Sequence, residues 1–162
     1  MVDDNHNQVG EGAPAELSAE EAALARGRQL LAQQPFSVLL GTQLHALSPG
    51  AVELHLPLTE KLYQQYGFAH GGVVSYMADN ALTYAGGTAM KGMVITSEFK
   101  INYLRPGRGK CLIARARAVH VGKSQSVCSC QIFDVQDDGV EKLCAVAQGT
   151  IVRMSPREKP AS

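Results

Sequence analysis

From Ala69 to Gly87 the chain reads AHGGVVSYMADNALTYAGG, and its only carboxylate or cation is Asp79. The spacing predicts one helix of about 17 residues, stopped by Gly86-Gly87. A helix so apolar needs cover on nearly all sides. No helical pattern recurs after it, so the cover has to be sheet. This constrains the fold more than any other feature.

The flanking segments supply that sheet. From Thr42 the hydropathy period changes to two. In AVELHLPL, Val52, Leu54, Leu56 and Leu58 share one face, with Glu53 and His55 on the other. Ser48-Pro49-Gly50 joins this run to TQLHAL as a hairpin. After the helix, MVITSEFKINYL, KCLIARARAVHV, SQSVCSCQIFDV and EKLCAVAQGTIVRM are four strand-length runs. Turn signals separate them, at Arg105-Pro106-Gly107-Arg108-Gly109, Gly122-Lys123 and Asp137-Asp138-Gly139. The expectation is an α+β fold with about six mostly antiparallel strands wrapped around one central helix.

Ahead of this, SAEEAALARGRQLLAQQ opens with a Ser18…Glu21 capping box, which predicts an N-terminal helix over residues 16–35 closed by Pro35. Residues 1–15 and 155–162 read as polar tails, the first of them disordered. Residues 36–154 form the single folded domain.

Lys plus Arg number 15 and Asp plus Glu 15, so no net field draws in nucleic acid. The N-terminus has no apolar signal region. No uncharged run reaches the roughly 20 residues of a membrane span. A cytoplasmic protein is expected. Cys111, Cys128, Cys130 and Cys144 show no zinc-ligand spacing and read as reduced thiols, with no metal implied. His45, His55 and His120 have no evident partners and receive no role.

On the helix, Ser75, Tyr76, Asp79 and Thr83 fall on one stripe. An ionised carboxylate among apolar neighbours costs several kcal/mol unless it is paired or hydrogen-bonded. From the stripe alone, Asp79 either bonds Thr83 and nearby backbone or serves chemistry. His70-Gly71-Gly72 adds unpaired N–H groups at the positive end of the helix dipole, suited to a carbonyl oxygen gaining negative charge. Nine residues of helix span roughly 13 Å, too far for both features to grip one small group. Two helices packed antiparallel about a two-fold axis solve this, so a homodimer with shared sites is expected.

With these residues in view, HGGVVSYMADNA, ITSEFKINYLRPG and the strand order closely resemble the hotdog-fold acyl-CoA thioesterases, particularly the phenylacetate-degradation type. The resemblance spans about residues 36–154. It implies hydrolysis of an acyl-CoA thioester to free acid and CoA, with CoA entering as substrate and no cofactor. It further implies that the Gly71 N–H polarises the thioester carbonyl while His70 shapes that turn. Asp79 of the partner is then general base or nucleophile, and Gln64 contacts the reacting group or water. Thr83 matches a helper hydroxyl of the 4-hydroxybenzoyl-CoA subtype, and Ser97 one of the phenylacetate type. Gly72, Arg105, Arg108, Lys123 and Ser124 are candidates for holding substrate, the basic ones and Lys110 as a CoA-phosphate cluster. Tyr63, Phe68 and Tyr76, with Met77, are candidates for the acyl pocket. Dimers can pair further into tetramers. Two rivals remain: a hotdog hydratase or dehydratase acting on enoyl or hydroxyacyl thioesters, and a non-catalytic acyl-CoA-binding dimer.

Overall fold

The computed structural model describes residues 18–155. The tails expected over residues 1–15 and 155–162 lie outside it except for Ser155. Helix α1 (Ala19–Ala32) begins as expected: Ser18 Oγ accepts from Glu21 N at 3.2 Å, and Glu21 Oε2 accepts from Ser18 N at 2.8 Å. Pro35 does not end α1, which stops at Ala32. It opens α2 (Pro35–Leu40) in the first helical turn, where its missing N–H costs nothing.

Two strands follow, β1 (Gln43–Ser48) and β2 (Ala51–Pro57). A two-residue-strand hairpin, β3 (Tyr63–Gln64) and β4 (Phe68–Ala69), then leads into the long helix α3 (Gly71–Met90). The remaining strands are β5 (Val94–Tyr103), β6 (Cys111–Val121), β7 (Gln125–Val135) and β8 (Glu141–Arg153). One six-stranded sheet has the order β1-β2-β6-β7-β8-β5, and every pairing in it is antiparallel. The β3–β4 hairpin carries no apolar alternation, which is why periodicity missed it.

The core lies between α3 and the concave face of the sheet. Val52, Leu54 and Leu56 of β2 are buried, as their alternation requires. They meet Met77, Ala78, Ala81, Leu82 and Ala85 of α3, together with Leu112, Ala114, Cys128, Ile132 and Ile151 from the other strands. Each fully buried leucine contributes about 1.5–3 kcal/mol relative to exposure.

Two expectations about α3 change. It runs through Gly86 and Gly87 and ends at Met90, where Lys91 takes a left-handed conformation (φ 52°). Gly86 is an interior contact: a Cβ there would stand 2.7 Å from Ile151 Cβ. The absent side chain lets helix and β8 approach. Nor is α3 covered on every side, because Ser75, Asp79, Asn80 and Thr83 stay only half-buried.

Candidate active site

The start of α3 is built by its own sequence. His70 is the N-cap residue, and its Nδ1 accepts from Gly72 N at 2.9 Å. His70 O takes the N–H groups of Val73 (2.9 Å) and Val74 (3.2 Å), while His70 N donates to Leu62 O at 2.8 Å. The amide of Gly72 is therefore spent within the turn and is not offered to a ligand. Gly71 N–H alone has no acceptor among the described residues. Gly71 O accepts from the Tyr103 hydroxyl at 3.0 Å, which pins this turn to β5. The helix dipole and one free donor thus meet at a single atom.

Two turns on, Asp79 Oδ1 accepts from the Thr96 hydroxyl at 2.6 Å. Its other oxygen has no partner among the described residues. The Thr83 hydroxyl donates to the Asp79 backbone carbonyl (2.9 Å) and lies 2.8 Å from Thr96 Oγ1. Thr83 therefore reaches the carboxylate only through Thr96. Ser97 is the extra residue of a bulge, since Thr96 pairs with Ile151 and Glu98 with Thr150. It is exposed and unbonded among the described residues. Thr96, unmarked in the sequence, is the residue that touches Asp79.

Tyr76 is engaged elsewhere on the stripe. Its hydroxyl lies 2.7 Å from Ser37 Oγ and 2.9 Å from Thr42 Oγ1, and Asn80 Nδ2 donates to it at 3.1 Å. Phe36 meets its ring edge-on at 5.2 Å. This network docks α2 onto α3, with Ser37 fully buried at its centre. Met77 lies wholly in the core.

Gln64 sits in β3, and its Oε1 accepts from Tyr66 N at 3.0 Å, which folds the side chain onto its own hairpin. Tyr63 and Phe68 occupy the same hairpin beside the start of α3. The Arg108 guanidinium covers the Phe68 ring at 5.4 Å. The loop carrying Arg105 and Arg108 is held by buried Asp134, whose carboxylate accepts from Gly109 N (2.8 Å), Arg108 N (3.0 Å) and Gln136 Nε2 (2.6 Å). Ala69 N donates to Gly107 O at 2.9 Å, joining that loop to the helix entrance.

The expected single cluster of basic residues does not form within one chain. Lys123 and Ser124 lie at the opposite end of β6 from Arg105, Arg108 and Lys110, about 33 Å away at 3.3 Å per residue. There the carbonyls of Lys123 and Ser124 accept from Arg153.

An apolar cleft of about 860 Å³ opens between α1 and the C-terminal half of α3, lined by Leu30, Leu47, Tyr84, Val94 and Met154 and reaching Thr83. The Tyr84 hydroxyl, pushed up to about 12 by burial and then by Tyr76, stays a neutral donor to Gly27 O at 3.0 Å.

A single long helix wrapped by a six-stranded antiparallel sheet, with a capped His-Gly-Gly entrance and a mid-helix acid, defines the hotdog class. The family model of the thioesterase superfamily matches residues 66–141. A thioesterase family protein from Silicibacter pomeroyi is 36% identical in its solved structure, with a TM-score of 0.74 covering 77% of this chain and 93% of that one. The 1,4-dihydroxy-2-naphthoyl-CoA hydrolase of Listeria monocytogenes is 28% identical, covering 74% of this chain and 95% of its own. Acyl-coenzyme A thioesterase PaaI of Escherichia coli is 29% identical, over 62% of this chain and 72% of its own. The chain belongs to the thioesterase superfamily and has its hotdog fold.

Proposed function

We propose that the protein hydrolyses an acyl-CoA thioester to the free acid and CoA, with each active site shared between two protomers. The observation that carries this reading is Asp79, anchored on one oxygen by Thr96 and open on the other. The free Gly71 amide supplies the complementary half.

In this reading the Gly71 N–H of one protomer binds the thioester oxygen as it becomes anionic. Asp79 of the partner takes a proton from water as the water attacks, or attacks the carbonyl carbon itself. Collapse of the water adduct expels CoA thiolate, which takes the proton back from Asp79, and leaves the free acid. On the nucleophilic route collapse leaves an acyl-Asp79 anhydride, which a water then hydrolyses to the free acid and the regenerated carboxylate. His70 keeps the amide aimed, while Gln64 of the hairpin before α3 and exposed Ser97, next to Thr96, serve substrate or water. Arg105 and Arg108, beside the helix entrance, receive CoA phosphates, and the partner's Lys123 and Ser124 complete the groove at the antiparallel interface. The cleft reaching Thr83 suits an apolar acyl group. CoA is part of the substrate, and no cofactor enters.

The dimer is supported by β5, a ten-residue strand at the edge of the sheet. Long exposed edges are normally covered, and Met93, Ile95 and Tyr103 are more than half exposed here. No helix among the described residues is long and apolar enough to cross a membrane. The cysteines are free thiols, which supports a reducing cytoplasm.

The test is a panel of short, medium, long and aryl acyl-CoAs followed by release of free thiol. Asp79→Asn is expected to lower kcat by about 10²–10⁴ while the dimer persists in size-exclusion chromatography. Unaltered turnover in that variant sinks the mechanism.

A further inference from the structure

The solvent face of the sheet carries a side-chain cluster on the side away from α3. In β1, Leu44 pairs with Leu54 and Ala46 with Glu53, so His45 is the extra residue of a bulge. Bulges re-aim side chains. This one lays the His45 ring against His55, with centroids 4.3 Å apart and planes within 9°. Glu53 shares the outward face of β2 with His55. Its Oε1 is 2.6 Å from His55 Nε2 and 4.0 Å from His45 Nε2.

The second oxygen of Glu53 is already held, accepting from Arg115 Nε at 2.6 Å. Arg115 also pairs with Glu141 and lies over Phe133 at 5.1 Å. Two carboxylates share one guanidinium, so the cluster keeps one net negative charge when both histidines are neutral. Burial pushes the Glu53 carboxyl up, but the hydrogen bonds and charges of Arg115 and His55 outweigh it and hold the group below the usual range. Glu53 is thus oriented by a fixed partner, the condition under which a carboxylate makes a good ligand.

We infer that His45, Glu53 and His55 form a binding site for a divalent transition-metal ion of the zinc class, with water in the fourth position. One ligand atom from each residue already lies within 4.8 Å of the others. Ligands about 2.0–2.2 Å from a tetrahedral ion stand roughly 3.4 Å apart, so His45 has to close in by about 1 Å while the 2.6 Å pair of His55 and Glu53 opens by a little less. His45, with 62% of its side chain exposed, is free to make that move by opening the stacked pair. The ion takes the position between His55 Nε2 and Glu53 Oε1, with the imidazole proton carried on Nδ1. Two imidazoles and one carboxylate favour zinc, nickel or copper over magnesium or calcium. The site ties β1 to β2 and takes no part in thioester hydrolysis.

The experiment uses the full chain, dialysed against a chelator and titrated with zinc by calorimetry, beside His45→Ala and His55→Ala. Wild type is expected to bind one ion per chain and to gain thermal stability with zinc. Each variant is expected to lose at least about tenfold in affinity along with that gain. Cobalt in place of zinc should give the visible bands of a nitrogen and oxygen site without a thiolate charge-transfer band. Both variants should hydrolyse thioesters at the wild-type rate, which shows they are folded. Absence of binding, equal binding in all three proteins, or a thiolate band overturns the inference.

Discussion

At the residue scale Asp79, the carboxylate proposed to act in hydrolysis, is defined by what holds it. Thr96 donates to Asp79 Oδ1 at 2.6 Å, and a hydrogen bond to a charged group contributes about 1.5–3 kcal/mol. Thr96→Val removes this donor with almost no change in shape. If the bond aims the carboxylate at water, kcat falls about 10- to 100-fold by the same energy while KM moves little. Thr96→Ser should restore most of the rate. Loss confined to KM in steady-state kinetics would show that Thr96 has no part in aiming the acid. The sequence marks the next residue, Ser97, as a helper hydroxyl and gives no sign of Thr96, because a motif read along a strand takes no account of a bulge. With the register shift between Thr96 and Glu98, Thr96 faces α3 and Ser97 is left over. Asp79 itself was legible, since a lone charge in an apolar helix is visible without coordinates. Thr96 was not, because contact between residues 17 apart depends on the register of β5 against β8.

At the scale of elements, apolar alternation fixed the strands well. The four runs after the helix match β5 to β8 to within one or two residues at each end. Glycine was harder to read, because a stop and a close approach both use it. Gly86-Gly87 looked like a helix terminator, yet Gly86 is pressed against Ile151. Gly86→Ala gains up to about 1 kcal/mol of helix propensity. It also drives a Cβ into the β-carbon of a fully buried isoleucine, and such overpacking costs about 1–3 kcal/mol. The expected net effect is a lower urea midpoint; a raised one would restore the terminator reading. The loop between β5 and β6 poses a second problem that pattern does not solve. Its basic residues were visible, but not the buried Asp134 that fixes their backbone from the end of β7. In Asp134→Asn one acceptor oxygen becomes a donor facing a backbone N–H. KM for acyl-CoA should rise several-fold, whereas a truncated thioester lacking the nucleotide should be turned over as before. Equal effects on both substrates would mean the loop does not hold CoA.

At the scale of the whole molecule, the uncovered stripe of α3 and the bare edge of β5 share a cause. In the proposed dimer a second copy of the chain covers both. The two halves of the proposed site lie about 12 Å apart along one helix, from Gly71 to Asp79. Shared sites therefore predict complementation. Gly71→Pro deletes the free N–H with little disturbance, since proline is favoured in the first helical position. His70, at φ −61° and ψ 136°, already has the backbone that a residue before proline prefers. The atoms nearest to an added Cβ belong to Tyr103, at an ordinary 3.7 Å. Alone, Gly71→Pro should lose about 100-fold or more in kcat, as removal of an oxyanion donor does. Asp79→Asn alone should be nearly inactive as well. When the two are unfolded together and refolded as a mixture, half the dimers pair one variant with the other. In each mixed dimer one site has both lesions and the other has neither, so activity should return to about a quarter of wild type. If both groups of a site came from the same chain, every site in the mixture would carry one lesion and no activity would return. Free-thiol release by the refolded mixture, compared with each variant refolded alone, separates the two architectures.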